Sequence, residues 1–123
     1  MISKRLFSLS KTKLGDLIVG LSFGKFNKLL PIKRITETDK VIAFWHPKPS
    51  YRNHILIVPK KSIKKLTSLE KNDMKYVDEV YLIAKELVVR FNLEKEGYSV
   101  ITNSGSKQKV KQLHFHLISG DKL

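Results

Sequence analysis

The period of the apolar residues changes twice along this chain, and that change constrains the fold more than any other feature. Met74, Val77, Tyr81, Ala84, Val88 and Phe91, flanked by Val80 and Leu87, recur every third or fourth residue and predict one long helix that stops near Asn92 and Gly97. Thr67-Ser68-Leu69-Glu70 has the spacing of a capping box and is expected to introduce that helix, while Ser62 is placed to cap a short helical turn through Leu66. On both sides the pattern is that of strands. Short β-branched and aromatic runs over Ile32 to Thr38, Val41 to His46 and Asn53 to Val58 are separated by Thr38-Asp39-Lys40 and by a loop containing Pro47 and Pro49. Tyr98 to Asn103 and Gln112 to Ser119 read as two more strands joined by a polar loop. The order predicts an α+β fold around an antiparallel sheet of about five strands with one long helix.

An additional N-terminal amphipathic helix is expected from Leu14, Leu17, Ile18, Leu21 and Ser22, with Phe23 and Phe26 continuing the face. Two fates compete for that stripe: packing on the domain or a second subunit, and lying on a membrane surface. Residues 1–30 are therefore read as a basic helical extension and residues 31–123 as the domain. Residues 1–35 carry Lys4, Arg5, Lys11, Lys13, Lys25, Lys28, Lys33 and Arg34 against the single acid Asp16, a surface for nucleic acid or an anionic membrane.

The 123 residues carry a net charge of +13, which points to an anionic partner. Lysine supplies most of it, so general lysine enrichment is the competing explanation. With no cysteine in the chain, disulfides, thiolate nucleophiles and cysteine zinc sites are excluded. No apolar run approaches the roughly 20 residues of a membrane span. A cytoplasmic location is expected. The basic first residues also resemble an organelle presequence, which leaves targeting open.

Chemistry concentrates in Gln112-Leu113-His114-Phe115-His116-Leu117-Ile118. Strict alternation puts Leu113, Phe115 and Leu117 on one face and Gln112, His114 and His116 on the other. The two histidines lie about 7 Å apart along such a strand, close enough to act on one small group. Zinc needs three or four ligands, and with only His46 and His54 remaining and no HExxH pattern, no metal or other cofactor is expected. Neutral imidazole can instead attack phosphorus, with Lys107, Lys109, Lys111 and Asn103 supplying charge and N–H groups from the preceding loop.

This stretch resembles the C-terminal signature of the histidine-triad (HIT) family, His-φ-His-φ-His-φ-φ with φ apolar, and Gln112 stands at the first histidine position. The resemblance extends to Glu37 through Phe44, to Pro49, and to His54-Ile55-Leu56-Ile57-Val58-Pro59-Lys60, covering roughly residues 30 to 120. It implies a HIT-like, nucleotide-binding α+β fold, usually homodimeric. The implied activity is hydrolysis or transfer of nucleoside monophosphate groups, from esters, anhydrides or phosphoramidates, through a nucleotidyl-histidine. By position His114 matches the family nucleophile, His116 the histidine assisting at the phosphate, and His54 the histidine of the third strand. Asn103 and Gln108 match the polar residues ahead of the motif.

Two departures bear on function. Gln112 cannot relay a proton, though its amide can hydrogen-bond, so a catalytically weakened nucleotide-binding or nucleic-acid-associated module is the alternative to an enzyme. His46 stands where many members hold the ribose with an aspartate. Phe44 and Trp45 are expected as walls of a base pocket or as core, and alternation allows only one of them on a given face.

Overall fold

The protein was analysed as a computed structural model, which describes residues 11–22 and 32–123. Strands β1 (Lys33–Glu37), β2 (Val41–Trp45), β3 (Tyr51–Pro59), β4 (Tyr98–Ile101) and β5 (Phe115–Lys122) form one antiparallel sheet in the order β1-β2-β3-β5-β4. Thr38 closes the first hairpin: its Oγ1 accepts the amides of Lys40 and Val41 at 3.2 and 3.1 Å. A short hydroxyl side chain satisfying turn amides is the reason such a residue sits there.

Alternation sorts the side chains into two layers. Val41, Ala43, Ile55, Ile57, Phe115 and Leu117 face helix α2 (Met74–Arg90), which buries Val80, Ile83, Ala84, Leu87 and Val88 against them. Ile42, Phe44, Leu56 and Val58 face the other way, under Leu14, Leu17 and Ile18 of helix α1 (Lys11–Ser22). Ile18 is 1% exposed, so the amphipathic stripe packs on the domain. Leu21 and Ser22 lie in the helix, whereas Phe23, Phe26 and the basic residues Lys4, Arg5, Lys25 and Lys28 lie outside the described residues.

Several local expectations are corrected. The long helix starts at Met74, not after Thr67, and two short 3-10 turns, Leu66–Ser68 and Lys71–Asp73, precede it. The working capping box is Glu70 with Asp73, whose carboxylate accepts the Glu70 amide at 3.0 Å and also pairs with Lys61. An acid with two partners outcompetes the hydroxyl of Thr67. The apolar stripe of α2 is rotated from its expected centre, leaving Met74 and Tyr81 exposed, because overlapping helical stripes are distinguished only by what the sheet offers them. Asn92 does end the helix, in the left-handed region at φ 54°.

No helical turn forms at Ser62. Residues 61–64 are instead held alongside Gln112 and Leu113: the Leu113 amide donates to Ile63 O at 2.7 Å and the Ile63 amide to Gln112 Oε1 at 3.1 Å. This clamp also delays β5, which begins at Phe115 and not at Gln112.

Candidate functional site

Four imidazoles meet on the α1 side of the sheet, and strand register brings them together. His116 pairs with Leu56 and His54 with Ile118, so the even-numbered residues of β3 and β5 share one face. The ring centroids of His54 and His114 each lie 5.1 Å from that of His116, and that of His46 lies 4.3 Å from that of His54. His54 and His114 are buried, while His46 and His116 are partly open.

Backbone partners define which nitrogen of each ring carries the proton. His114 Nδ1 lies 2.7 Å from the carbonyl oxygen of Gln112, which can only accept, so Nδ1 holds the hydrogen and the Nε2 lone pair is free. The His54 ring is arranged the other way. Its Nδ1 accepts the Ser50 amide at 3.0 Å, so Nε2–H donates to His116 Nδ1 at 2.8 Å. His116 is thereby left with an Nε2–H to offer. His46 Nδ1 likewise accepts the Lys48 amide at 2.9 Å, leaving Nε2–H as its donor.

The loop Pro47-Lys48-Pro49-Ser50 explains two of these assignments. Proline has no N–H, so Lys48 and Ser50 carry the donors, and each is aimed at an imidazole. Sequence reading missed both residues, although alternating prolines beside two histidines were a signal for it. Thr102 was also missed: its hydroxyl donates to His114 O at 2.8 Å and braces the strand.

All four rings are held neutral. Burial pushes His116 down to about 3, with help from His114 and His54, and takes His54 to about 4 with help from His46. His46 falls to about 4 through burial and the neighbouring His116 and His114. Burial lowers His114 as well, opposed by its bond to Gln112. Desolvation disfavours the charged imidazole, and neighbouring imidazoles add repulsion if one charges. A neutral ring with a free lone pair is the form that can act as a nucleophile. Among the described residues no three His, Asp or Glu side chains are grouped to hold a metal ion.

The remaining expected site residues have separate fates. Phe44 lies on the histidine face, beside Leu56 and beneath α1, whereas Trp45 points to the α2 face and packs on Phe91 with ring centroids 5.2 Å apart. Trp45 as a base-pocket wall is therefore corrected to core. Gln112, expected to be catalytic, is 1% exposed and spans to the clamp segment, donating from Nε2 to Lys61 O at 2.8 Å and accepting from Ile63. It touches the site through its backbone carbonyl on His114. Gln108, which matches a polar residue ahead of the motif, donates from Nε2 to Lys64 O and Val110 O at 2.6 and 2.9 Å, so its donors are engaged by the loop. Asn103 is half-buried just past β4, next to the residue that braces His114.

Four neutral, differently oriented imidazoles thus lie together on one face of an α+β sheet. A family model described as the HIT domain matches residues 27–123, and the chain belongs to the HIT family. It is 30% identical over 95 residues to an uncharacterised HIT-like protein of Helicobacter pylori, covering 76% of this chain and 88% of that one. A histidine triad protein from Clostridium difficile superposes with a TM-score of 0.74 at 29% identity, covering 87% of this chain and 91% of the other. A HIT family hydrolase from Legionella pneumophila gives 0.74 at 26% identity, with 86% and 93% covered.

Proposed function

We propose that the protein hydrolyses or transfers nucleotidyl groups, with His114 as nucleophile. The observation that carries this reading is the bond from His114 Nδ1 to Gln112 O, which leaves the Nε2 lone pair free. In this scheme Nε2 attacks the α-phosphorus of a nucleoside phosphate ester, anhydride or phosphoramidate, and the leaving group departs with the electrons of its bond to phosphorus. Water then attacks the same phosphorus, releases the nucleoside monophosphate and gives its proton to solvent as His114 returns to neutrality. The Nε2–H of His116, left free by the bond from His54 to Nδ1, donates to a phosphoryl oxygen as charge develops, and Asn103 adds a second donor. Gln112 acts by positioning His114.

Phe44, expected as a base-pocket wall, is fully buried with Leu56 beneath Leu14, Leu17 and Ile18 of α1 and is corrected to core. His46 meets the ribose as a donor, the reverse of a carboxylate, because its Nδ1 is occupied by Lys48. The Legionella neighbour's description as a hydrolase supports turnover over simple binding. A homodimer belongs to the same reading: β4 is an edge strand with Tyr98 and Ile101 exposed, and α2 presents Leu82 and Val89 outward.

Mass spectrometry of protein quenched in cold alkaline denaturant after mixing with a panel of nucleoside phosphoramidates and anhydrides tests the proposal. A single nucleotidyl adduct in the parent, absent from His114→Ala, is expected. No turnover of any panel member by the parent, or equal turnover by His114→Ala, defeats it.

A further inference from the structure

The chain of rings that reaches His116 stops at a peptide amide, not at an acid. The Ser50 amide donates to His54 Nδ1, and His54 Nε2–H donates to His116 Nδ1. His46, the other partly open ring, is stopped in the same manner by the Lys48 amide. Residues 40–69 and 97–120 contain no Asp or Glu, and among the described residues no carboxylate bonds any of the four rings. The distinction is chemical. A carboxylate accepts from Nδ1–H and stabilises an imidazolium, whereas an amide donates to a bare Nδ1 and favours the neutral ring.

The far end of β5 fixes that amide in place. Tyr51 pairs with Lys122 but Asn53 with Ser119, so β5 carries one extra residue there, a bulge with Gly120 in the left-handed region at φ 80°. Beyond the bulge the Leu123 amide donates to Ser50 O at 2.9 Å, and Pro49 restricts the backbone just before Ser50.

For His116 to give up its Nε2 proton and stay neutral, its Nδ1 must take the proton of His54 Nε2, and His54 must gain another at Nδ1. That nitrogen faces a peptide N–H, a hydrogen-bond donor that does not ionise near neutrality. Charging His116 from solvent meets a second obstacle, because a hydrogen on its Nδ1 would stand against the hydrogen of His54 Nε2.

We propose that Ser50 is a positioning residue whose amide ends the imidazole chain, so that His116 gives the substrate a hydrogen bond and no proton. This rests on the nucleotidyl-transfer reading above and states how its leaving group departs. As the bond from His114 Nε2 to phosphorus forms, the bond from phosphorus to the leaving oxygen breaks, and that oxygen keeps the electron pair and departs as an anion. The rate of the step is then set by the basicity of the leaving oxygen. His116 keeps its hydrogen on Nε2 throughout, bonded to a phosphoryl oxygen.

Proton–nitrogen correlation spectra of the full chain without ligand should show Nε2–H tautomers for His54 and His116 and Nδ1–H for His114. Nδ1–H on His54 overturns the proposal. In single-turnover mixing with adenylate esters of phenol and substituted phenols, adduct formation should slow by about tenfold per pKa unit of the phenol, as for departure of a free anion. A rate indifferent to the phenol means that a proton is delivered, and overturns it equally. Ser50→Pro removes the amide, and because Ser50 is exposed, water takes its place at His54 Nδ1. The dependence should then flatten to about threefold per unit and the His54 signals should average between tautomers, while Ser50→Ala, which keeps the amide, restores both parent behaviours. A proline variant with the parent's slope and tautomers overturns the role of Ser50, and the parent's own spectrum and slope decide the proposal if that variant does not fold. Esters cleaved no faster than by His114→Ala defeat the reading of His114, with the spectrum still deciding the tautomers.

Discussion

The two faces of one sheet solve different problems with the same alternating strands. Toward α2, Trp45, Ile55, Ile57, Phe115 and Leu117 meet a helix and every contact is apolar, so burial itself is the reward. Toward α1, the neighbouring residues in or beside the same strands include His46, His54, Leu56, His114 and His116, and each imidazole needs a directed partner before it can be buried. One face tolerates any shape that fills it. The other requires particular donors in particular directions, and those come from loops. Both sides bury apolar side chains, but only the α1 side also carries the imidazoles.

The largest expected break in that comparison is His114→Gln, which keeps a polar side chain in place but removes the nucleophile. Turnover should fall by more than about 10⁴-fold while the chemical denaturation midpoint stays near the parent value. An equal loss of stability and rate would mean that the faces are not separable. On the opposite side, Leu87→Ala opens a cavity under α2 and should cost about 2–5 kcal/mol in urea denaturation, with kcat unchanged for the molecules that remain folded.

Acid sharpens the contrast. His46 and His54 at about 4 and His116 at about 3 lie below the ordinary histidine value of 6.5, so below pH 6.5 the unfolded chain binds more protons than the folded one. Stability from these rings is full above pH 6.5 and is lost as pH falls toward 4 and then 3. One ring held neutral across about two units of pH accounts for about 3 kcal/mol. Denaturation midpoints at pH 7 and 4.5 should separate accordingly, and His46→Phe should narrow the gap. Before unfolding sets in, kcat/KM should show no acid limb near pH 6.5, because the free protein's imidazoles are already neutral there.

The smallest of these effects belongs to the clamp that joins the faces. Gln112→Leu strands the Ile63 amide and Lys61 carbonyl and should cost about 1–3 kcal/mol. Because the Gln112 carbonyl also holds His114 Nδ1, kcat should fall beyond what unfolding explains, whereas KM for a small nucleotide should change little.

The lower-level features of this chain are legible in its residues. Alternation from Gln112 to Ile118 puts His114 and His116 on one face, the helical period places α2 between strands, and Asn92 marks its end. The side chosen by Phe44 over Trp45 was not legible, because alternation says that the two diverge without saying which way. Nor could the strand pattern reveal that Gln112 turns aside to Ile63. That contact joins residues 49 positions apart, and its energy exists only once both segments are in place.

What this sequence determines alone is the period of each segment, the residue types available for chemistry, and the charge of each stretch, since these are properties of neighbours along the chain. Tertiary structure decided the tautomers of the imidazoles, the rotation of α2, and the meeting of Leu123 with Ser50. Each depends on hydrogen bonds or packing between segments distant in sequence, whose partners become defined only when the sheet has assembled.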